Sequence, residues 1–155
     1  MKGKSSLFSS KSNRVASGNI SFMPNVGRKS DFAKFIAHRP DIDPNGMYDV
    51  IAHGNSDLIE IMNQGEEVKI KAREAAKIIR TKPGFHKSKA VRLFSCSTGS
   101  TPNGFAQNLA NALGKPVYAP NMTIHSNPRG VYWIEDNGKR GEFVKFIPGG
   151  NRNGK

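Results

Sequence analysis

The 155-residue chain has only one cysteine, Cys96, and one tryptophan. Without a second thiol no internal disulfide can form, so no oxidised framework holds the fold. No apolar run approaches the roughly 18 residues needed to cross a bilayer. The opening stretch "MKGKSSLFSSKSNR" lacks the apolar h-region of a signal peptide. "STGSTPNG" lacks the Gly-Lys-Ser/Thr ending of a phosphate-cradling loop. The single Cys and scattered His do not have the spacing zinc requires, so neither a metal nor a cofactor is expected. Negative charge is scarce as well: 12 Asp+Glu stand against 24 Lys+Arg, a formal net charge of +12. Such an excess suits acidic surfaces in general, the phosphates of a nucleic acid, or passage through an acidic-lined pore.

The length fits one domain with its own core. Residues Met1–Ser17 are rich in Ser and Lys and poor in large apolar groups, which predicts a flexible basic leader. The same composition from Pro148 to the end predicts a flexible tail. The folded part is therefore expected over 18–147, as a single α/β domain.

Within that span, Ser30 can cap a short helix in "SDFAKFIAH" that must stop before Pro40. "DPNG" marks a turn. "MYDVIAHG" reads as a strand buried on both faces, and "DLIEIM" and "EEVKI" as a hairpin about "NQG". "KAREAAKIIR" has the pattern of an amphipathic helix, and "KAVRLFS" that of a second buried strand. In "TPNGFAQNLANALGKP" Thr101 can cap a helix, Pro102 suits its first turn and Gly114 its end. "PVYAP" is a third short strand, while "MTIHS", "GVYWIED" and "GEFVKFI" alternate as antiparallel strands do. Strands separated by helices of this length imply a largely parallel central sheet covered on both faces, with a β-rich C-terminal end.

In such sheets chemistry gathers at the carboxyl ends of the strands. "YDVIA" ends in His53-Gly54 and "VRLFS" ends in Cys96-Ser97. A lone Cys at a strand end is more often buried filler than a nucleophile. A His at the end of a parallel neighbour changes that balance, because imidazole can take the thiol proton and later return it to a leaving group. His38 and His86 read as surface or core residues. His125, after the third strand, could reach the same edge.

"DVIAHGNSD" followed by "VRLFSCSTGS" resembles the His-Gly and Ser-Cys pair of caspase/clostripain-like cysteine peptidases. It is closer still to C-terminal toxin domains of bacterial Rhs, contact-dependent inhibition and insecticidal toxin-complex proteins. There a strand-His-Gly segment precedes "RLxSCSTG", "GFAQNLANALGKPVYAP" and a final "PGG". The similarity covers about 47–120, with an echo at "FIPGG". It implies a caspase-like three-layer sandwich and a secreted or delivered toxin or effector. This would be a cysteine protease-like hydrolase that cleaves a protein in the target-cell cytoplasm, with a parent toxin polypeptide and an immunity protein as partners. His53 is then general base and acid, Cys96 the nucleophile, and the Gly54 and Cys96 N–H groups the oxyanion donors. Asn55, Ser56, Ser97, Thr98 and His125 become candidates for the substrate cleft.

Two alternatives use other residues. "KIKAREAAKIIRTK" could serve a nucleic-acid-directed toxin, although no aromatic residue is interleaved there to stack bases. Gln64–Glu66 and "STG" resemble parts of an ADP-ribosyltransferase site, in the reverse of that family's order.

Overall fold

A computed structural model describes residues 19–23, 31–43 and 46–149. The expected leader, the Ser30 cap and the centre of the "DPNG" turn lie outside the described residues, as does most of the tail. A five-stranded sheet runs in the order β1 (Asn19–Ser21), β2 (Met47–Ile51), β6 (Ala90–Phe94), β7 (Val117–Pro120), β11 (Phe143–Phe146). The first four strands are parallel, and β11 is antiparallel to β7. Two small antiparallel sheets complete the β structure. One is β3 (His53–Gly54), β4 (Ile59–Asn63) and β5 (Glu66–Ile70), and the other is β8 (Ile124–Ser126), β9 (Tyr132–Asp136) and β10 (Lys139–Arg140). The helices are α1 (Asp31–Ile36), α2 (Ala72–Ile79) and α3 (Phe105–Leu113).

Strand alternation divides the central sheet between two cores. Tyr48, Val50 and Ala52, with Val91 and Leu93, pack beneath α2 and α3. Ile51 and Phe94 point the other way, onto Ile36 of α1 and onto Ile124 and Ile134 of β8 and β9. Both faces are thus covered, which is why these strands lack the polar alternation of a half-exposed sheet. Small residues let the helices come together: Ala72, Ala75 and Ala76 of α2 are buried, as are Ala106 and Ala110 of α3. Arg80 Nη1 crosses between them to donate to the Ala112 carbonyl at 2.8 Å.

Local chemistry explains most boundaries. Gln64 and Gly65 both have positive φ, the two-residue turn that closes the β4–β5 hairpin. The Glu74 carboxylate accepts from the Lys71 N–H at 3.2 Å at the start of α2, and Gly114 ends α3 in the left-handed conformation.

The α3 N-terminus differs from expectation. Gly104, not Thr101, occupies the cap, and Thr101 and Pro102 lie in the preceding turn. The first helical N–H groups are taken by distant carbonyls instead: Phe105 N–H donates to Ser56 O at 2.8 Å, and Ala106 N–H to Thr98 O at 3.1 Å. A Cβ at Gly104 would collide with the Ser56 carbonyl, 2.5 Å away.

Two further differences concern the ends. Asn19–Ser21 adds an edge strand where the sequence carries no apolar alternation. Near the other end, Gln107 Nε2 donates to the Ile147 carbonyl at 2.8 Å, and Gly149 N–H to Asn111 Oδ1 at 2.6 Å. Ile147 and Gly149 are therefore tied to α3, at the point where the sequence reading starts a flexible tail.

A buried carboxylate interrupts the apolar interior. Asp49, fully buried in the middle of β2, accepts from Arg39 Nε and Nη2 at 3.0 and 2.7 Å and from Arg92 Nε and Nη2 at 2.9 and 2.8 Å. Arg92 also reaches Asp41 Oδ2 at 3.0 Å, and Tyr132 donates its hydroxyl proton to the same Asp41 carboxylate. Burial pushes the Asp41 carboxyl up, but the Tyr132 hydrogen bond and the Arg92 charge outweigh it and hold the group below its ordinary 3.8. Removing one partner from a buried ionic cluster leaves the others uncompensated. Asp49→Ala should therefore cost about 3–5 kcal/mol of unfolding free energy, measured by urea denaturation; a loss below about 1 kcal/mol would mean the two guanidinium groups find water instead.

Candidate functional site at the carboxyl ends of β2 and β6

Ile51 and Phe94 are register partners in the parallel β2–β6 pair, and Ala52 N–H donates to Phe94 O at 3.2 Å. His53 and Cys96 each follow those partners by two residues, so both leave the sheet at one edge and at one level. From there the chains diverge. His53 and Gly54 enter β3 and pair with Glu60 and Ile59, while Cys96 begins a turn in which Ser97 has φ +59°. A non-glycine residue in that region costs of order 1 kcal/mol or more and persists only where its surroundings impose it. Here the Ser97 N–H is held by Met122 O at 3.0 Å, and the Ser97 carbonyl accepts from both the backbone and the hydroxyl of Ser100.

The two strand ends are packed against each other. A Cβ on Gly54 would meet Thr98 Cγ2 at 2.9 Å, Leu58 O at 3.2 Å and Ile59 Cγ2 at 3.3 Å. Only glycine lets the His-Gly segment come so close to the turn after Cys96. Thr98 itself is fully buried, its hydroxyl donating to Ser95 O at 3.0 Å and lying 3.2 Å from Ser95 Oγ. It pins the turn and is not a wall of an open cleft. Ser97 is half-buried beside it.

Asn55 and Ser56 also shape backbone. Asn55 Oδ1 accepts from the Asp57 and Leu58 N–H groups at 2.8 and 3.0 Å, and the Ser56 carbonyl receives the first N–H of α3. His125 departs from the expected position. It stacks on Trp133, its register partner across β8–β9, at 5.6 Å between ring centroids, and its Nε2 lies 2.9 Å from Glu135 O. Its neighbours Ile124 and Ile134 face the core that Cys96 joins, so alternation turns His125 to the outside of the hairpin.

Cys96 is half-buried against Phe94, Ile124 and the surrounding apolar side chains. Its Sγ lies 3.9 Å from the Ile124 carbonyl, a long contact suited to a neutral thiol. Burial, the largest cause, pushes the thiol above its ordinary 9.0; the backbone contact at Ile124 opposes it, and the Asp136 charge adds a smaller rise. The resting sulfur is therefore S–H. His53 Nε2 is buried and has no hydrogen-bond partner among the described residues. An unsatisfied buried ring nitrogen is uncommon and calls for an explanation. The sequence carries no signal for Asp136, which sits at the end of β9 before an ordinary Asn-Gly turn.

A family profile described as "Domain of unknown function (DUF8616)" matches residues 18–134, three quarters of the chain. The chain belongs to DUF8616. The DUF8616 span contains both His53 and Cys96 and ends within β9. No curated protein and no solved structure matches the chain.

Two measurements check this geometry. With its thiol raised, Cys96 should react with iodoacetamide several-fold more slowly at pH 7 than a free peptide thiol, its rate climbing to a midpoint above pH 9; a midpoint at or below 8.5 would contradict the burial described. Gly54→Ala should destabilise the fold by about 1–3 kcal/mol through overpacking. Thr98→Ser, which removes the obstructing methyl, should recover part of that loss in a double-mutant cycle.

Proposed function

We propose that this domain is a toxin or effector unit with a caspase-like sandwich, in which Cys96 and His53 perform acyl transfer and cleave a peptide bond in a target-cell protein. The observation that carries the reading is the pairing of strand ends: a thiol and a buried, unpartnered imidazole nitrogen leave adjacent parallel strands two residues beyond a register pair. The motif resemblance adds support, and so does the strained turn at Ser97, a form of backbone that clusters at functional positions.

Chemically, Cys96 starts as a thiol and needs a base. His53 Nε2, which has no hydrogen-bond partner among the described residues, takes the proton as sulfur attacks the scissile carbonyl carbon. Charge then develops on the carbonyl oxygen, where backbone N–H groups at the strand ends are suited to receive it. Collapse breaks the C–N bond, and the imidazolium returns its proton to the departing amine. A water molecule, deprotonated by His53, attacks the thioester; the acid product leaves and the thiol is restored. Resting active sites often hold such groups apart until substrate tightens them, which accommodates the absence of a bond from Nε2 to Cys96.

Cys96→Ala and His53→Ala should each lower target-cell killing or proteolysis by at least about a hundredfold while shifting Tm by only a few degrees. Full toxicity in both variants would defeat the proposal. Degradation of cellular RNA by Cys96→Ala would point to the basic surface instead.

A further inference from the structure

Positive charge is not spread evenly over the chain. Residues 69–89 hold eight of the 24 Lys and Arg, and of the 12 Asp and Glu only Glu74. Two of the eight are answered locally: Lys71 pairs with Asp57 at 3.0 Å, and Lys69 is the register partner of Glu60 across β4–β5. Arg73, Lys77, Arg80, Lys82, Lys87 and Lys89 have no carboxylate partner among the described residues, and all but the half-buried Lys82 are exposed.

On α2 these cations form a stripe. Ala72, Ala75, Ala76 and Ile79 turn inward, and the helical repeat then puts Arg73, Lys77 and Arg80 on one flank, over about 10 Å of axis. The Arg80 guanidinium, donating to Ala112 O, aims that flank toward α3. Every side chain of α3 is uncharged, so nothing anionic answers from that side. The helix itself is poorly served by the stripe. Arg73 and Lys77 are like charges at i,i+4 and Lys77 and Arg80 at i,i+3, both repulsive spacings. Arg73 also stands in the first turn, where the macrodipole favours an acid. A carboxylate at position 73 would remove both penalties.

The face is equally marked by what it does not expose. Among the described residues the exposed large apolar side chains are Val131, Trp133 and Ile147, all outside 69–89. The stripe therefore has no aromatic or aliphatic anchor of the kind that concentrates affinity for a protein partner. It has no apolar wedge for a bilayer and no platform on which a single strand could stack its bases. Cations in a row without these groups match the phosphates of a duplex, whose backbone positions a protein without carrying sequence.

We propose that this flank of α2 docks on the phosphate backbone of double-stranded nucleic acid, without regard to sequence. Arg73, Lys77 and Arg80 make the contacts, and Lys82, Lys87 and Lys89 extend the positive field past the end of the helix. α2 covers the core of Val50 and Leu93, whereas Cys96 joins the core on the other face of the sheet. Docking is thus separate from the proposed acyl transfer and does not rest on it.

The test is fluorescence anisotropy of a labelled DNA duplex of about 20 base pairs titrated with the full chain, at salt from about 50 to about 200 mM. Each phosphate contact adds about 0.9 to the slope of log K against log salt. The double variant Arg73→Gln/Lys77→Gln should therefore lower the slope by about 1.8 and weaken binding at least about tenfold near 0.1 M salt. Glutamine suits a helix and ends the repulsion, so Tm should equal or exceed that of wild type. Lys139→Gln/Arg140→Gln, on the exposed β9–β10 turn, removes the same charge and should leave the slope unchanged. An equal loss in both double variants, or an unchanged slope in the first, overturns the inference. Displacement of the duplex by polyglutamate as readily as by unlabelled duplex also overturns it, as does stripe-dependent binding to phosphatidylserine vesicles without binding to the duplex. Cys96→Ala should bind the duplex as wild type does, so failure of the acyl-transfer reading and failure of docking are read separately.

Discussion

The carboxylate of Asp49 ties together several elements of the fold through charge. It sits in an interior strand of the sheet with no exposed surface, and both of its oxygens accept from guanidinium groups: Arg39, just beyond α1, and Arg92 on the adjacent strand. Arg92 carries the connection on to Asp41 and to Tyr132 of β9, and lies 4.7 Å over the Phe94 ring. A buried ion on its own would oppose folding, and only a geometry that satisfies every lone pair makes it tolerable. The constraint therefore acts on position: α1, β2, β6 and the β8–β9 hairpin must arrive together or the charges stay bare. This is the face of the sheet on which Cys96 rests.

That dependence gives the candidate site its shape. The hairpin held by the arginine network supplies Ile124 and Met122, whose carbonyls meet the sulfur of Cys96 and the N–H of Ser97. From the other side, the loop after His53 and the start of α3 are joined through Ser56 and Phe105, and Gly54 closes onto Thr98. Cys96 and His53 are thus each fastened to a different part of the scaffold. The first N–H groups of α3 are occupied by carbonyls, so that helix end offers little to an anion.

Much of the fold was legible because its strands are short apolar runs closed by glycine or proline. "MYDVIAHG", "KAVRLFS" and "PVYAP" became β2, β6 and β7, and "NQG" became the turn of a hairpin. What escaped were features decided by partners far away in sequence. The cap of α3 comes from Ser56 and Thr98 carbonyls, so Thr101, a good cap by composition, was displaced. Asp49 looked like one polar residue in a buried strand, and nothing local announced Arg39 and Arg92 as its partners. His125 could be placed near the right edge, but its direction required the β8–β9 register, which turns it onto Trp133. Of the site, the two strand ends were readable as a His-Gly and a Cys-Ser; the burial of Thr98, the neutral state of the thiol and the carboxylate of Asp136 emerge only in three dimensions.

The hairpin that crowds Cys96 also carries the chain's only tryptophan, Trp133, on its outer face and stacked on His125. Tryptophan emission from this protein therefore has a single origin, on the element that Tyr132 fastens to the arginine network. Tryptophan fluorescence follows whether that one hairpin is docked. The fold supplies its own optical probe of the wall behind the thiol.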